Sequence, residues 1–172
     1  MSVKRLMLMR HAKSSWDEPE LSDEARPLTK RGRKAAVRMA DHIAAAGLTP
    51  SVVLCSSAAR ARETAELLHP ALPPKTQIKV EPRLYEAGSS QLLTRIKRLS
   101  PGAASVLIVG HNPAMQELVL ELAAKSPKVK EIRAKFPTAA LAVLEAEVDA
   151  WNEITPGDAK LVHFATPKGI GP

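Results

Sequence analysis

The chain has 172 residues, a formal net charge of +7, a sequence pI of about 9.8 and one cysteine, Cys55. Its length fits a single domain, and the lone cysteine excludes a disulfide framework and a cysteine-cluster metal site. Aromatic residues make up only 3% of it, so the core must be built from Ala, Val, Leu, Ile and Met. The basic balance draws anionic partners, among which phosphorylated small molecules, phosphoproteins and nucleic acid all qualify.

The first element is the apolar run Leu6-Met7-Leu8-Met9, which stops abruptly at Arg10-His11. It is too short for a signal-peptide core or a membrane span, so a cytoplasmic protein with no membrane partner is expected. In an α/β protein such a run suits a buried parallel strand. A polar loop follows from Lys13 to Arg26. Thr29 then caps a predicted helix to about Ala46, with Ala36, Val37, Ala40, Ile43 and Ala44 at helical spacing and Gly47 as its terminator. Val52-Val53-Leu54-Cys55 reads as the second strand, and Ser57 as the cap of a helix through Leu68. Gln77 to Val80 is a weak third strand. Ser89 or Ser90 caps a helix carrying Leu92, Leu93, Ile96 and Leu99.

Val106-Leu107-Ile108-Val109 is the clearest strand and runs into Gly110-His111-Asn112-Pro113. Asn112 is placed as N-cap and Pro113 at the first helical position. The segment Lys125 to Lys135 is basic and interrupted by Pro127. Ala139 to Val148 and Lys160 to Ala165 read as two late strands around a turn at Thr155-Pro156-Gly157-Asp158. Strands alternating with helices predict a three-layer α/β/α sandwich with a mostly parallel mixed sheet, one late strand being antiparallel. The domain is placed at 1–165, with a loose tail over 166–172, and a monomer is expected.

Three strands end at residues suited to phosphate chemistry. The first ends at Arg10-His11, the second at Cys55-Ser56-Ser57 with Arg60 in the next helical turn, and the fourth at Gly110-His111-Asn112. Open α/β sheets bind ligands beyond the carboxyl ends of their strands. An imidazole can act as a covalent nucleophile. Two guanidiniums can hold phosphate oxygens and offset transition-state charge, and helix N-termini add backbone donors for the same anion.

Other readings are weaker. His42, His69 and His163 read as surface, capping or structural residues. A Cys55 phosphatase loop would need Arg six positions on, where Ala61 stands. No Gly-x-Ser-x-Gly elbow surrounds Ser56 or Ser57. No His-Glu-x-x-His run occurs, so no metal is expected. Nucleic-acid binding would want aromatic residues interleaved with basic ones, and none are. The basic runs at 30–34 and 125–135 are read as solvated faces.

The segment Leu8-Met9-Arg10-His11-Ala12-Lys13-Ser14-Ser15-Trp16-Asp17 resembles the opening motif of the histidine phosphatase superfamily, the phosphoglycerate-mutase-like fold. Arg60-Ala61-Arg62-Glu63-Thr64-Ala65 is similar to its second motif and Val109-Gly110-His111-Asn112-Pro113 to its third. The short chain, the absence of a long cap insertion and Arg26-Pro27-Leu28-Thr29-Lys30-Arg31-Gly32 resemble the SixA-type phosphohistidine phosphatase branch. The resemblance implies a minimal cap, no cofactor, His11 as nucleophile, and Arg10, Arg60 and His111 as the phosphate pocket. Glu86, in Leu84-Tyr85-Glu86, stands where many members place a general acid. Ala12 replaces the family's usual Gly, implying a slightly tighter loop, and Asp17 stands where Asn is common and is not expected to touch phosphate.

The implied activity is hydrolysis through a phosphohistidine intermediate on His11, with phosphohistidine on a phosphoprotein as substrate. Two alternatives stay open: the same mechanism on small phosphorylated metabolites, and a non-catalytic phosphate-binding regulatory module.

Overall fold

The computed structural model describes residues 2–170. Six strands form one sheet: β1 (Lys4–Arg10), β2 (Val52–Ser56), β3 (Gln77–Glu81), β4 (Ser105–Gly110), β5 (Leu141–Ala146) and β6 (Lys160–Ala165). Their order is β3-β2-β4-β1-β5-β6, with β3, β2, β4 and β1 parallel and β5 antiparallel to both β1 and β6. The helices are α1 (Lys30–Ala45), α2 (Ala59–Leu68), α3 (Ser89–Lys97), α4 (Ala114–Leu122) and α5 (Pro127–Ala134). This is the expected three-layer sandwich. Among the described residues no helix is long and apolar enough to cross a membrane.

The alternation of side chains along each strand explains the continuous apolar runs. On β1, Leu6 and Leu8 face the core under α3, α4 and α5, while Met7 and Met9 face the core under α1 and α2. On β4, Val106 and Ile108 join the first core, and Leu107 and Val109 the second. Both faces are covered, so neither register position tolerates a polar residue.

The topology places the site. The helix after β1 packs on one face of the sheet and the helix after β4 on the other, yet β1 and β4 are neighbours. A crevice therefore opens between their carboxyl ends, where ligands bind in open α/β sheets. His11 and His111 follow those two strands.

Several local expectations are corrected. Lys125 to Lys135 keeps its basic residues exposed, as expected, but Pro127 does not interrupt it: the segment contains α5, with Pro127 in the first turn, where its missing N–H costs nothing. Helix α2 begins at Ala59, and Ser57 does not cap it. The N-cap is Ala58, with no side-chain cap; just ahead of the helix Ser56 Oγ accepts from the Ala58 N–H at 3.2 Å, while the Ser57 hydroxyl donates to Glu24. Gly88, not Ser89 or Ser90, occupies the N-cap of α3. Helix α4 starts at Ala114, one residue later than expected, although Asn112 Oδ1 still accepts from the Gln116 N–H at 3.3 Å. Beyond β6, the Ile170 N–H donates to the Thr166 carbonyl at 3.1 Å, and Ile170 packs against the α1/α2 core. The rest of the expected tail, Gly171 and Pro172, lies outside the described residues.

Helix α1 is anchored directly to the loop that follows His11. The Thr29 side chain accepts from the Gly32 N–H at 2.8 Å, and the Lys13 carbonyl accepts from the Thr29 N–H at 2.9 Å. Gly32 sits so close to this loop that a Cβ there would lie 2.2 Å from the Lys13 carbonyl oxygen. Backbone cannot step aside as a side-chain tip can. Gly32→Ala is therefore expected to destabilise the fold by about 1–3 kcal/mol, lowering Tm by roughly 3–10 °C. Thermal unfolding followed by circular dichroism checks this, and a Tm within a degree of wild type would contradict it.

Candidate active site

His11 is 7% exposed and follows the last residue of β1. Its backbone N–H donates to the Gly110 carbonyl at 2.9 Å, tying it to the end of β4. The Ala139 N–H serves both the Arg10 and His11 carbonyls at 3.0 Å, and Ala139 holds the left-handed conformation, φ 64°, to do so. That conformation is costly for a residue with a Cβ, and it closes the backbone around the strand end. On the other side, the Ala12 N–H donates to Thr64 Oγ1 at 3.0 Å, whose hydroxyl donates to the Arg60 carbonyl at 2.7 Å. Ala12 is fully buried. The loop after β1 is thus bound to the helix that carries Arg60.

The ring of His11 is fixed as well. Its Nδ1 lies 2.7 Å from the Ala12 carbonyl. A carbonyl can only accept, so Nδ1 carries the proton and Nε2 keeps a free lone pair. Burial, together with His111, Arg60 and Arg10, holds the His11 pKa down to about 3 against the raising effect of the Ala12 carbonyl. His111 is also pushed down, to about 4, by burial and by Arg60. Both imidazoles are neutral at pH 7. His111 lies with its ring centroid 5.1 Å from that of His11, and its Nε2 is 2.8 Å from Ser56 Oγ.

The two arginines flank this pair. Arg10 donates through one Nη to the Phe136 carbonyl at 3.1 Å, and Asn112 Nδ2 shares that acceptor at 3.0 Å. Arg60 donates to the Asp23 carbonyl at 2.7 Å and to Asp23 Oδ2 at 3.0 Å. The Nε atoms of both Arg10 and Arg60 are buried without a hydrogen-bond partner. Buried donors left unmatched are rare, and here two flank one histidine. A cavity of about 640 Å³ contains all four residues, together with Lys13, Ser14, Trp16, Asp23, Arg26, Tyr85, Glu86, Asn112 and Thr138. The two arginines and two histidines of this cavity can accept a tetrahedral oxyanion and present a neutral nitrogen to its centre.

Of the residues singled out from sequence, Arg10, His11, Arg60 and His111 converge in this cavity. Glu86 reaches only its rim, exposed to solvent. Asp17 is exposed and outside the lining, and Arg62 turns away to donate to the Ser57 carbonyl at 3.0 Å. Cys55 is buried, and burial pushes its thiol pKa up to about 12, which removes it as a nucleophile at neutral pH. His42 and His163 pair with each other, Nε2 to Nε2 at 2.8 Å, away from the cavity.

Sequence reasoning missed Asp23 and Tyr85. The Tyr85 hydroxyl donates to Asp23 Oδ2 at 2.5 Å, and Arg26 Nε donates to Asp23 Oδ1 at 3.1 Å. Tyr85, then Arg60 and Arg26, hold the Asp23 carboxyl down to about 2, so it is an ionised anchor and not a proton donor. Tyr85 also packs edge-on against His111, with ring centroids 5.7 Å apart. The one available signal was that Tyr85 is the chain's only tyrosine, beside the candidate Glu86.

Comparison with known proteins agrees with this geometry. Residues 6–90 match the model of the histidine phosphatase superfamily (branch 1). An uncharacterized protein of Mycobacterium tuberculosis is 34% identical over 164 residues, spanning 93% of this chain and all of that one. Phosphohistidine phosphatase SixA of Escherichia coli is 31% identical over 120 residues, 69% of this chain and 73% of that protein. A solved structure from Agrobacterium tumefaciens, assigned to phosphohistidine phosphatase SixA, superposes with a TM-score of 0.82 at 30% identity, covering 95% of this chain and 98% of that one. The protein histidine phosphatase SixA solved with tungstate gives 0.74 at 26% identity, covering 96% and 99%. With its fold, its three strand-end motifs and these relatives in agreement, the chain belongs to the histidine phosphatase superfamily, branch 1.

Proposed function

We propose that this protein is a metal-independent phosphatase that carries the phosphoryl group on His11 Nε2, and that its substrate is phosphohistidine on a protein. One observation carries the chemistry: a neutral His11, with Nδ1–H held by the Ala12 carbonyl at 2.7 Å, lies beside two arginines whose buried Nε donors lack partners. That the related protein histidine phosphatase SixA was solved in complex with tungstate, a tetrahedral oxyanion, supports a phosphate-like ligand.

In the first step, His11 Nε2 forms a bond to phosphorus while the substrate's N–P bond breaks. The leaving imidazole takes one proton from solvent and departs neutral. Arg10 and Arg60 hold the equatorial oxygens, which is most of what phosphoryl transfer demands. A bound dianion favours the charged form of His111, so that ring becomes a donor to the same group. The phosphorylated His11 ring keeps its Nδ1 proton and is cationic, stabilised by the Ala12 carbonyl. In the second step, a water oxygen bonds phosphorus, the His11 N–P bond breaks, and both water protons leave with the phosphate. His11 returns to its starting tautomer.

The substrate reading is supported by the chemistry of departure. Imidazole leaves without a strong acid, and the Asp23 carboxylate in the cavity is ionised. Glu86 at the rim favours a second reading, hydrolysis of small phosphate esters, because an alkoxide needs an acid to leave. A panel in EDTA separates them: a protein phosphorylated on histidine with phosphoramidate, an aryl phosphate, a sugar phosphate and a nucleoside monophosphate. The phosphohistidine protein is expected to give the highest kcat/KM. A higher value on an ester would transfer the proposal to that substrate class. Saturable phosphate binding with no turnover on any of the four would replace it with a binding module.

A further inference from the structure

The chain has two tryptophans, and they are used in opposite ways. Trp151 is fully buried, whereas Trp16 is 75% exposed at the rim of the cavity that holds His11. An indole carries roughly 150–250 Å² that gains from burial, so exposing it beside the site forgoes that gain. Trp16 is nevertheless not loose. The Arg26 guanidinium lies 3.4 Å over its ring. Arg26 is itself buried and donates to Asp23 Oδ1 at 3.1 Å, to Ser14 Oγ at 3.0 Å and to the Ser15 carbonyl at 3.2 Å. One face of the indole is therefore held from below and the remainder is presented to solvent.

A basic edge continues from it. Lys13 is exposed on the rim, and its carbonyl anchors the start of α1, where Lys30, Arg31 and Lys34 are exposed. Asp17, Glu18 and Glu20, which follow Trp16 in the chain, are exposed as well. The basic residues of this edge suit acidic groups on a partner, and the apolar contact comes from Trp16. Pre-organised aromatic residues of this kind serve as anchors at protein–protein interfaces.

We propose that Trp16 and the Lys13/Lys30/Lys34 edge dock the polypeptide surface that presents the phosphohistidine, with an apolar patch on the partner meeting the indole and acidic residues meeting the edge. This rests on the substrate reading above. The surface is continuous with the catalytic cavity, so a histidine side chain inserted there brings its own flanking residues against Trp16. The docking contact raises affinity for the protein and adds nothing to the chemical step.

The test compares two substrates with the same leaving group. One is a protein phosphorylated on a surface histidine with phosphoramidate, and the other is free phosphohistidine. Trp16→Ala is expected to raise KM for the protein about tenfold with kcat within about twofold. It should leave kcat/KM for free phosphohistidine within about twofold, and Trp16→Phe should recover most of the loss. An equal loss on both substrates would make Trp16 a structural cover for Arg26 and overturn the proposal, as would an unchanged KM for the protein. Wild-type turnover of free phosphohistidine without turnover of the protein would overturn both this proposal and the protein-substrate reading, leaving the His11 chemistry intact. Turnover of neither would overturn the phosphohistidine reading itself.

Discussion

His11→Asn is expected to reduce phosphatase turnover by at least about 10³-fold while leaving the fold intact, because it removes the nitrogen proposed to bond phosphorus. Asn keeps a side-chain N–H able to reach the Ala12 carbonyl, so the loop retains its hydrogen bond. A variant within tenfold of wild type would refute the role of His11. The ionisation of the same group is independently testable. With His11 near 3 and His111 near 4, neither ring in the free protein should titrate between pH 8 and 5 in a proton NMR experiment. A midpoint near 6.5 for both would contradict the buried, neutral pair. The sign for stability follows from linkage. Between these low values and the ordinary value of 6.5, the unfolded chain binds more protons than the folded one, so stability falls as pH drops through that window. It is fully present above about pH 6.5. His11→Asn removes part of that acid sensitivity, and denaturant midpoints measured at pH 7 and pH 4.5 would converge relative to wild type.

The second large effect is at Arg60. Arg60→Ala should lower kcat/KM by roughly 10³–10⁵, the range that a transition-state arginine supplies in phosphoryl transfer. Two changes add here. The cation is lost, and the Asp23 carboxylate loses the partner that lies 3.0 Å away and is left facing an incoming phosphate. Arg60→Lys should recover little, because an ammonium cannot donate to the Asp23 carbonyl and carboxylate together and still offer a further N–H in the same plane. Steady-state kinetics on the two variants, with circular dichroism as a control, checks this. A Lys variant with wild-type kcat/KM would show that Arg60 acts only as a diffuse positive charge.

Much of this arrangement was legible before any coordinates. Met7, Met9, Leu107 and Val109 are buried on one face and Leu6, Leu8, Val106 and Ile108 on the other, so two-sided burial writes itself as an unbroken apolar run. Each run ends where solvent and substrate begin, which is why Arg10, His11 and His111 stood out. Thr29 announced its helix because capping is local. Pro127 carried a usable signal too, since proline favours a helix's first turn, but it was read as a break. Asp23 and Tyr85 were not legible for a different reason. Asp23 meets Arg60 across 37 residues and Tyr85 across 62, and no spacing rule connects a loop residue to a partner chosen by sheet order. The same holds for His42 and His163, which meet across 121 residues.

The phosphoryl group itself gives the most direct test. The protein is mixed with a phosphohistidine donor, quenched in alkali and digested, and the labelled peptide is located by mass spectrometry. One phosphoryl group is expected, on His11, and none in the His11→Asn variant. A label on Cys55, Ser56 or Ser57, or a label that persists in the variant, would contradict the covalent role of His11.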